Sequence, residues 1–156
     1  MATPTETVLA RRWVVQINMG TDVSPDWQLS PATTNFTFKY PNVTQDDSDY
    51  DSGGWGSTVK TAQNWSGELS FNRKSTPDST AYSTVHEKLR TAALSFGSSS
   101  KIGVRWYDRN AMPEAYQGTA LVEWEPSGGD RTALEGIKVT LTGVGALVPI
   151  TNPIAP

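Results

Sequence analysis

Residues 65–72 read Trp-Ser-Gly-Glu-Leu-Ser-Phe-Asn, and the fold is decided in this stretch. Trp65, Gly67, Leu69 and Phe71 fall on one side of an extended chain, with Ser66, Glu68, Ser70 and Asn72 on the other. One apolar side and one wettable side is what an antiparallel strand over a core requires. The same alternation recurs in both directions from here. Upstream, Trp13, Val15, Ile17 and Met19 oppose Arg12, Gln16 and Asn18, and Phe36, Phe38 and Tyr40 oppose Asn35, Thr37 and Lys39. Downstream, Ile102, Val104 and Trp106 oppose Lys101, Gly103, Arg105 and Tyr107. Ala120, Val122 and Trp124 then oppose Thr119, Leu121 and Glu123, and Ile137, Val139 and Leu141 oppose Lys138, Thr140 and Thr142. Six half-buried strands parted by Gly, Pro, Asn and Asp predict a mainly β protein, an antiparallel β-sandwich.

A single segment keeps a different period. Between Ser79 and Phe96, Ala81, Val85, Leu89, Ala92, Ala93 and Phe96 recur at three- and four-residue spacing, which predicts one α-helix over 79–96 flanking the sheet. Thr76 and Asp78 read as caps, Pro77 as a first-turn residue and Gly97 as the stop. Three stretches read as irregular: the turn-rich connection 20–32, a long acidic loop at 43–61, and a proline-bearing tail at 148–156 that is not expected to join a central strand. The division that follows is an N-terminal arm at 1–10, one β-sandwich domain at 11–147 and an extended tail at 148–156.

Composition narrows the function. With 156 residues the chain suits one domain with a full core. It has no cysteine, so disulfides and thiolate metal sites are excluded. A net charge of −3 argues against a protein that holds nucleic acid through phosphate neutralisation. No stretch has the length of a transmembrane helix, and residues 1–6 lack the basic-then-apolar pattern of a secretion signal.

Motifs for chemistry are sparse. His86 is the only histidine and has no nucleophile or orienting carboxylate in a recognisable spacing, so it reads as a packing or surface residue. Glu123 and Glu125 share a strand face at roughly 6–7 Å, a spacing any polar strand face produces. Asp47, Asp49 and Asp51 alternate as in a calcium loop, but Ser52 stands where the turn glycine belongs and Thr58 where the bidentate Glu belongs. Gly53-Gly54-Trp55-Gly56 lacks the lysine and following helix of a phosphate cradle. Of the six tryptophans, Trp13, Trp65, Trp106 and Trp124 lie on apolar strand faces, whereas Trp27 and Trp55 lie in irregular segments, where they suit either an interface or a sugar platform. The expectation is a protein that is not an enzyme and carries no cofactor or metal.

Residues 45–74, QDDSDYDSGGWGSTVKTAQNWSGELSFNRK, resemble the major tail tube proteins of long-tailed (siphovirus-type) bacteriophages. The shared pattern is an acidic loop with Trp-Gly, a polar stretch and an alternating strand ending in basic residues. The helix and three further strands follow in the family's order, so the likeness spans about 11–147. The resemblance implies a structural virion protein whose subunits form hexameric rings sharing an inner barrel. Those rings stack into the tube that conducts DNA during ejection. It implies that the long loop, here carrying Asp46, Asp47, Asp49, Asp51 and Trp55, reaches a neighbouring ring. The implied partners are further copies of the chain, a tape-measure protein, a tail-tip initiator and a tail terminator, with DNA passing unbound and no membrane involved. The implied location is the virion tail, assembled in the host cytoplasm.

For the lumen, the short polar or acidic side chains Ser66, Glu68, Ser70 and Asn72 are candidates, with Thr119 and Glu123. The same residues suit an outer face in solvent, and both placements stand at this level. Two other readings remain: a carbohydrate-binding β-sandwich using Trp27, Trp55 and the acidic loop, and another tail ring protein such as a tail terminator.

Overall fold

The computed structural model describes residues 2–156. Its strands are β1 (Trp13–Asn18), β2 (Trp27–Leu29), β3 (Thr33–Lys39), β4 (Asn42–Asp46), β5 (Thr58–Gln63), β6 (Ser66–Asn72), β7 (Lys101–Asp108), β8 (Ala115–Pro126) and β9 (Gly136–Pro149), with one helix, α1 (Thr84–Ala93). Seven strands make one antiparallel sheet in the order β2-β1-β7-β8-β9-β6-β3, and β4 and β5 pair apart from it. The sandwich arises by curling this single sheet until β3 faces β1 and β7 across the core. Aromatic rings mark the closure: Trp13 meets Phe38 at 5.3 Å between centroids and Phe36 meets Trp106 at 5.2 Å.

The period-two reading of 65–72 matches the burial residue by residue. Trp65, Gly67, Leu69 and Phe71 are buried, while Ser66, Glu68, Ser70 and Asn72 point away from the core. Val15, Ile17, Ile102, Val104, Trp106, Ala120, Ile137, Val139 and Leu141 complete the interior, with Trp13 and Trp124 packed against it. Helix α1 closes the core by burying Val85, His86, Leu89 and Ala92. His86 therefore belongs to the buried stripe itself. Its ring stacks on Phe71 at 3.7 Å and its Nε2–H donates to the Pro31 carbonyl at 3.1 Å, leaving Nδ1 without a partner.

That environment makes a pH prediction. Burial pushes the His86 imidazole below its ordinary value, with the nearby Arg73 acting in the same direction and the Pro31 bond opposing. Below the ordinary value near 6.5 the unfolded chain takes up a proton that the folded chain resists, so stability is lost as pH falls through that window. The urea midpoint is expected to decline from pH 7 to 6 in the wild type and to stay flat in His86→Leu. Equal slopes for the two proteins would remove His86 as the cause.

Four stretches differ from their sequence reading, each for a local reason. The helix starts later than position 79, because Thr76, Asp78 and Thr80 hydrogen-bond one another in a tight turn in which Ser79 has φ of 58°. Thr76 and Asp78 thus hold a turn rather than cap the helix, and a Ser75–Tyr82 bridge closes it. The helix ends before Phe96, and Gly97, at φ of 70°, opens a separate 3-10 turn at Gly97–Ser100. The stretch 43–61 is a β-hairpin with an irregular tip, since β4 and β5 pair from Asn42–Gln63 to Asp46–Thr58.

The connection 20–32 holds β2, which pairs with the end of β1. Finally, β9 runs on through Val148 and Pro149, opposite Gln117 and Tyr116. A proline at the last position of a strand removes a single ladder bond, and Ile150 N–H resumes pairing with Ala115 O at 3.0 Å. Asn152 then anchors the tail by donating to the carbonyls of Asp108 and Met112 at 2.9 and 2.7 Å.

Candidate assembly interface

The β4–β5 hairpin has almost nothing beneath it. Apart from half-buried Val43 and Ser52, every residue from Asn42 to Gln63 is exposed, including Val59, Tyr50 and, at the tip, Trp55 with 83% of its surface free. A two-stranded ribbon on its own is marginally stable in water. Side-chain bonds therefore carry its tip. Asp46 accepts from Ser48 N–H at 2.8 Å, Asp49 accepts from Asp51 N–H at 2.9 Å, and Ser52 Oγ closes a capping box with Asp49. The hydrogen bonds from Ser48 hold the Asp46 carboxyl below its ordinary value.

These carboxylates are spent on turn geometry. Among the described residues, no group of three or more His, Cys, Asp or Glu is arranged to hold a metal ion. Asp46, Asp47, Asp49, Asp51 and Trp55 share the hairpin's outer half.

Trp27 lies elsewhere. It is half-buried in β2, opposite Asn18, with the Arg105 guanidinium 4.7 Å above its ring. The two tryptophans of the sugar-platform reading thus sit in different elements, and one of them is half-buried with a guanidinium over its ring.

The six lumen candidates come together on one face. In register, Ser66 stands by Thr142, Glu68 by Thr140, Ser70 by Lys138 and Asn72 by Gly136. The next strand places Glu123 beside Thr140 and Glu125 beside Lys138, with Thr119 further along the same side. Hydroxyls, the carboxylates Glu68, Glu123 and Glu125, and the ammonium groups of Lys138, of Lys39 beside Ser66 and of Lys101 beside Leu121 therefore share this face, with Lys138 Nζ 3.5 Å from Glu68. This face is opposite to the one α1 covers, and Glu123 and Glu125 face no cleft on it.

Two further features escaped the sequence reading. Strand β3 is an edge strand, and its outer backbone groups have no partner strand. An edge of seven residues bearing one lysine is a pairing surface left open. At the hairpin's root, Tyr40, Gln63, Asn64, Trp65, Tyr116 and Leu147 line an open cleft of about 480 Å³. Its shape depends on a register shift in the β8–β9 pairing, where Gly145, Ala146 and Leu147 bulge beside Gly118. Burial, with the Glu114 carboxylate alongside, pushes the Tyr116 phenol up to about 12, so the cleft wall stays uncharged.

This curled antiparallel sheet with one helix resembles phage tail tube structures in fold. The chain superposes on the SPP1 tail tube subunit with a TM-score of 0.65 at 15% identity, over 94% of this chain and 80% of that one. In the gene transfer agent particle, a tail solved by helical refinement with C6 symmetry contains a chain matched at TM-score 0.70 and 13% identity, over 93% of this chain and all of that one. A chain of the six-fold symmetrised anti-feeding prophage baseplate matches at TM-score 0.64 and 11% identity, over 99% and 100%. At these identities the shared property is the fold. No family model and no curated protein matches the sequence.

Proposed function

We propose that the chain is a major tail tube subunit, forming hexameric rings that stack into a conduit for phage DNA. The observation that carries this reading is the β4–β5 ribbon, a 22-residue excursion from Asn42 to Gln63 with no core of its own. Such an element gains a buried face only from another molecule. The open β3 edge asks for the same, and head-to-tail contacts between identical copies supply both by closing rings or propagating filaments. The assembled neighbours of like fold support this direction. The hydroxyl-rich face around Glu68 and Glu123, on which carboxylates offset the lysines, then lines the bore, where the lack of a concentrated positive patch lets DNA slide without being held. The tape-measure protein, initiator and terminator would meet the tube at its inside and its ends. The location is the virion tail, assembled in the host cytoplasm.

Negative-stain electron microscopy of concentrated protein, with tail-tip initiator added where needed, tests the proposal. Hollow tubes with a regular axial repeat are expected. Replacing 47–57 by a short Gly-Ser turn is expected to abolish tubes while leaving the melting temperature of the isolated subunit within about 2 °C, since the tip adds nothing to the core. Isolated rings that never stack would instead favour a terminator-like ring protein, a reading to which the baseplate likeness lends weight. Monomers in the presence of initiator would refute both.

A further inference from the structure

The apolar cleft has a counterpart on a different surface of the molecule. Leu94 and Phe96 project from the corner where α1 gives way to the Gly97–Ser100 turn, with 74% and 94% of their surfaces free. This corner is built, not loose. Ser95 Oγ donates to Thr91 O at 2.7 Å, Leu94 N–H donates to Thr91 O at 3.2 Å, and Ser100 Oγ donates to Gly97 O at 2.6 Å. A rigidly displayed, fully wet phenyl ring has the character of an interface anchor awaiting its pocket.

The placement of the two features is set by the strands. Phe96 lies just before Lys101, the first residue of β7, whereas the cleft lies by Tyr116, which pairs with Trp106 near that strand's other end. Trp106 is five residues along β7 from Lys101, so the Tyr116 wall of the cleft lies roughly 17 Å from the strand's start, at about 3.3 Å per residue. Val23, exposed in the turn after β1, stands at the anchor's end as well. The cleft is open, uncharged and walled by Tyr40, Trp65 and Tyr116, a lining that suits an aromatic guest in edge-to-face contact. Its volume of about 480 Å³ falls in the range of pockets that take up small apolar groups.

We infer that Phe96, with Leu94 beside it, docks into the Tyr40–Trp65–Tyr116 cleft of a second copy of this chain. This joins the copies head to tail. The inference rests on the tube reading and names a contact through which successive copies meet. Because anchor and cleft are different surfaces of the same molecule, one contact leaves both of its complements free on the outer ends, and the series continues.

The absence of cysteine in the chain makes a direct test available. Ala146 is exposed and lines the cleft. Ser98→Cys, exposed two residues from an intact Phe96, and Ala146→Cys proteins, mixed and oxidised at high concentration, are expected to give a disulfide-linked dimer that neither gives alone, and the double variant a ladder of multimers. Phe96→Ser and Ala146→Arg are each expected to lower the extent of assembly at least tenfold, with the circular dichroism of the subunit unchanged. Absence of the mixed dimer overturns the inference. So does a cross-link from Trp55→Cys to Ala146→Cys in its place, which would assign the cleft to the hairpin tip. Microscopy of the wild type reports separately on the tube. Tubes without the cross-link sink this contact alone, the cross-link without tubes sinks the tube reading alone, and the absence of both sinks both.

Discussion

Gly143→Val is expected to destabilise the subunit by about 3 kcal/mol, near the upper end of what overpacking a core costs. A Cβ at this position would lie 2.4 Å from Trp65 Nε1 and 2.5 Å from Cε2, inside any permissible contact. The indole has nowhere to retreat. Gly118 faces its other edge, where a Cβ would lie 2.6 Å from Cζ2, and the ring N–H is held by Gly145 O at 3.2 Å. Trp65 is buried, and its indole reaches Trp106 at 5.8 Å between centroids, so displacing it disturbs the aromatic closure of the sheet. For a chain of this size the loss corresponds to a melting temperature lower by roughly 6–12 °C. The pair Trp65→Phe with Gly143→Ala is expected to cost less than the sum of the two single changes, because the smaller ring vacates the contested space. Strict additivity in calorimetry would show that the clash is relieved elsewhere.

The second large effect concerns the one ion pair, among the described residues, with a fully buried carboxylate. Asp108, 0% exposed, accepts from Arg12 at 3.0 Å and from Asn110 N–H at 2.7 Å, while Arg12 also reaches Glu114 at 3.0 Å and covers the Trp13 ring at 4.3 Å. Arg12→Ala leaves that carboxylate in the interior without its counter-charge, at a cost of about 3–5 kcal/mol. Asp108→Asn in the Arg12→Ala background is expected to recover part of the loss, because a neutral amide is cheaper to bury than an unpaired charge. Denaturant unfolding of the three proteins checks the order. A double variant no more stable than Arg12→Ala would show that packing of the arginine stem over Trp13, rather than charge, sets the cost.

These two sites also show what sequence can and cannot disclose. Alternation located the sheet because most strands bury one face and wet the other, and in β6 the parity held at every position from Trp65 to Asn72. The hairpin carried no such signal. With both of its faces exposed there is no apolar side to count, so a regular ribbon reads as loop. The helix start misled for a different reason: Thr76 and Asp78 are cap residues by type, yet they bond to one another and to Thr80 in a turn. Pro149 misled because the rule against proline in strands has its exception at a strand's end.

The candidate surfaces divide along the same lines. The acidic tip and the polar face of β6 are contiguous in sequence and were legible there. The cleft joins Tyr40, Trp65, Tyr116 and Leu147 from four parts of the chain and needs a bulge to open it. Its one local trace is the glycine pair Gly143 and Gly145, two residues apart at the point where β9 must pass the indole.

The separation of the β4–β5 ribbon from the seven-stranded sheet puts the two on different clocks. The body depends on pairings such as Trp13 with Asp108, far apart along the chain, and sheets of that kind form over roughly milliseconds to seconds. A hairpin closes on itself in roughly 1–10 μs. In the proposed tube, a subunit that has finished folding can therefore make and unmake its ribbon many times while it rests against the growing end. Growth of such a tube would be paced by the arrival of folded subunits, with no added delay from the ribbon's search for its seat.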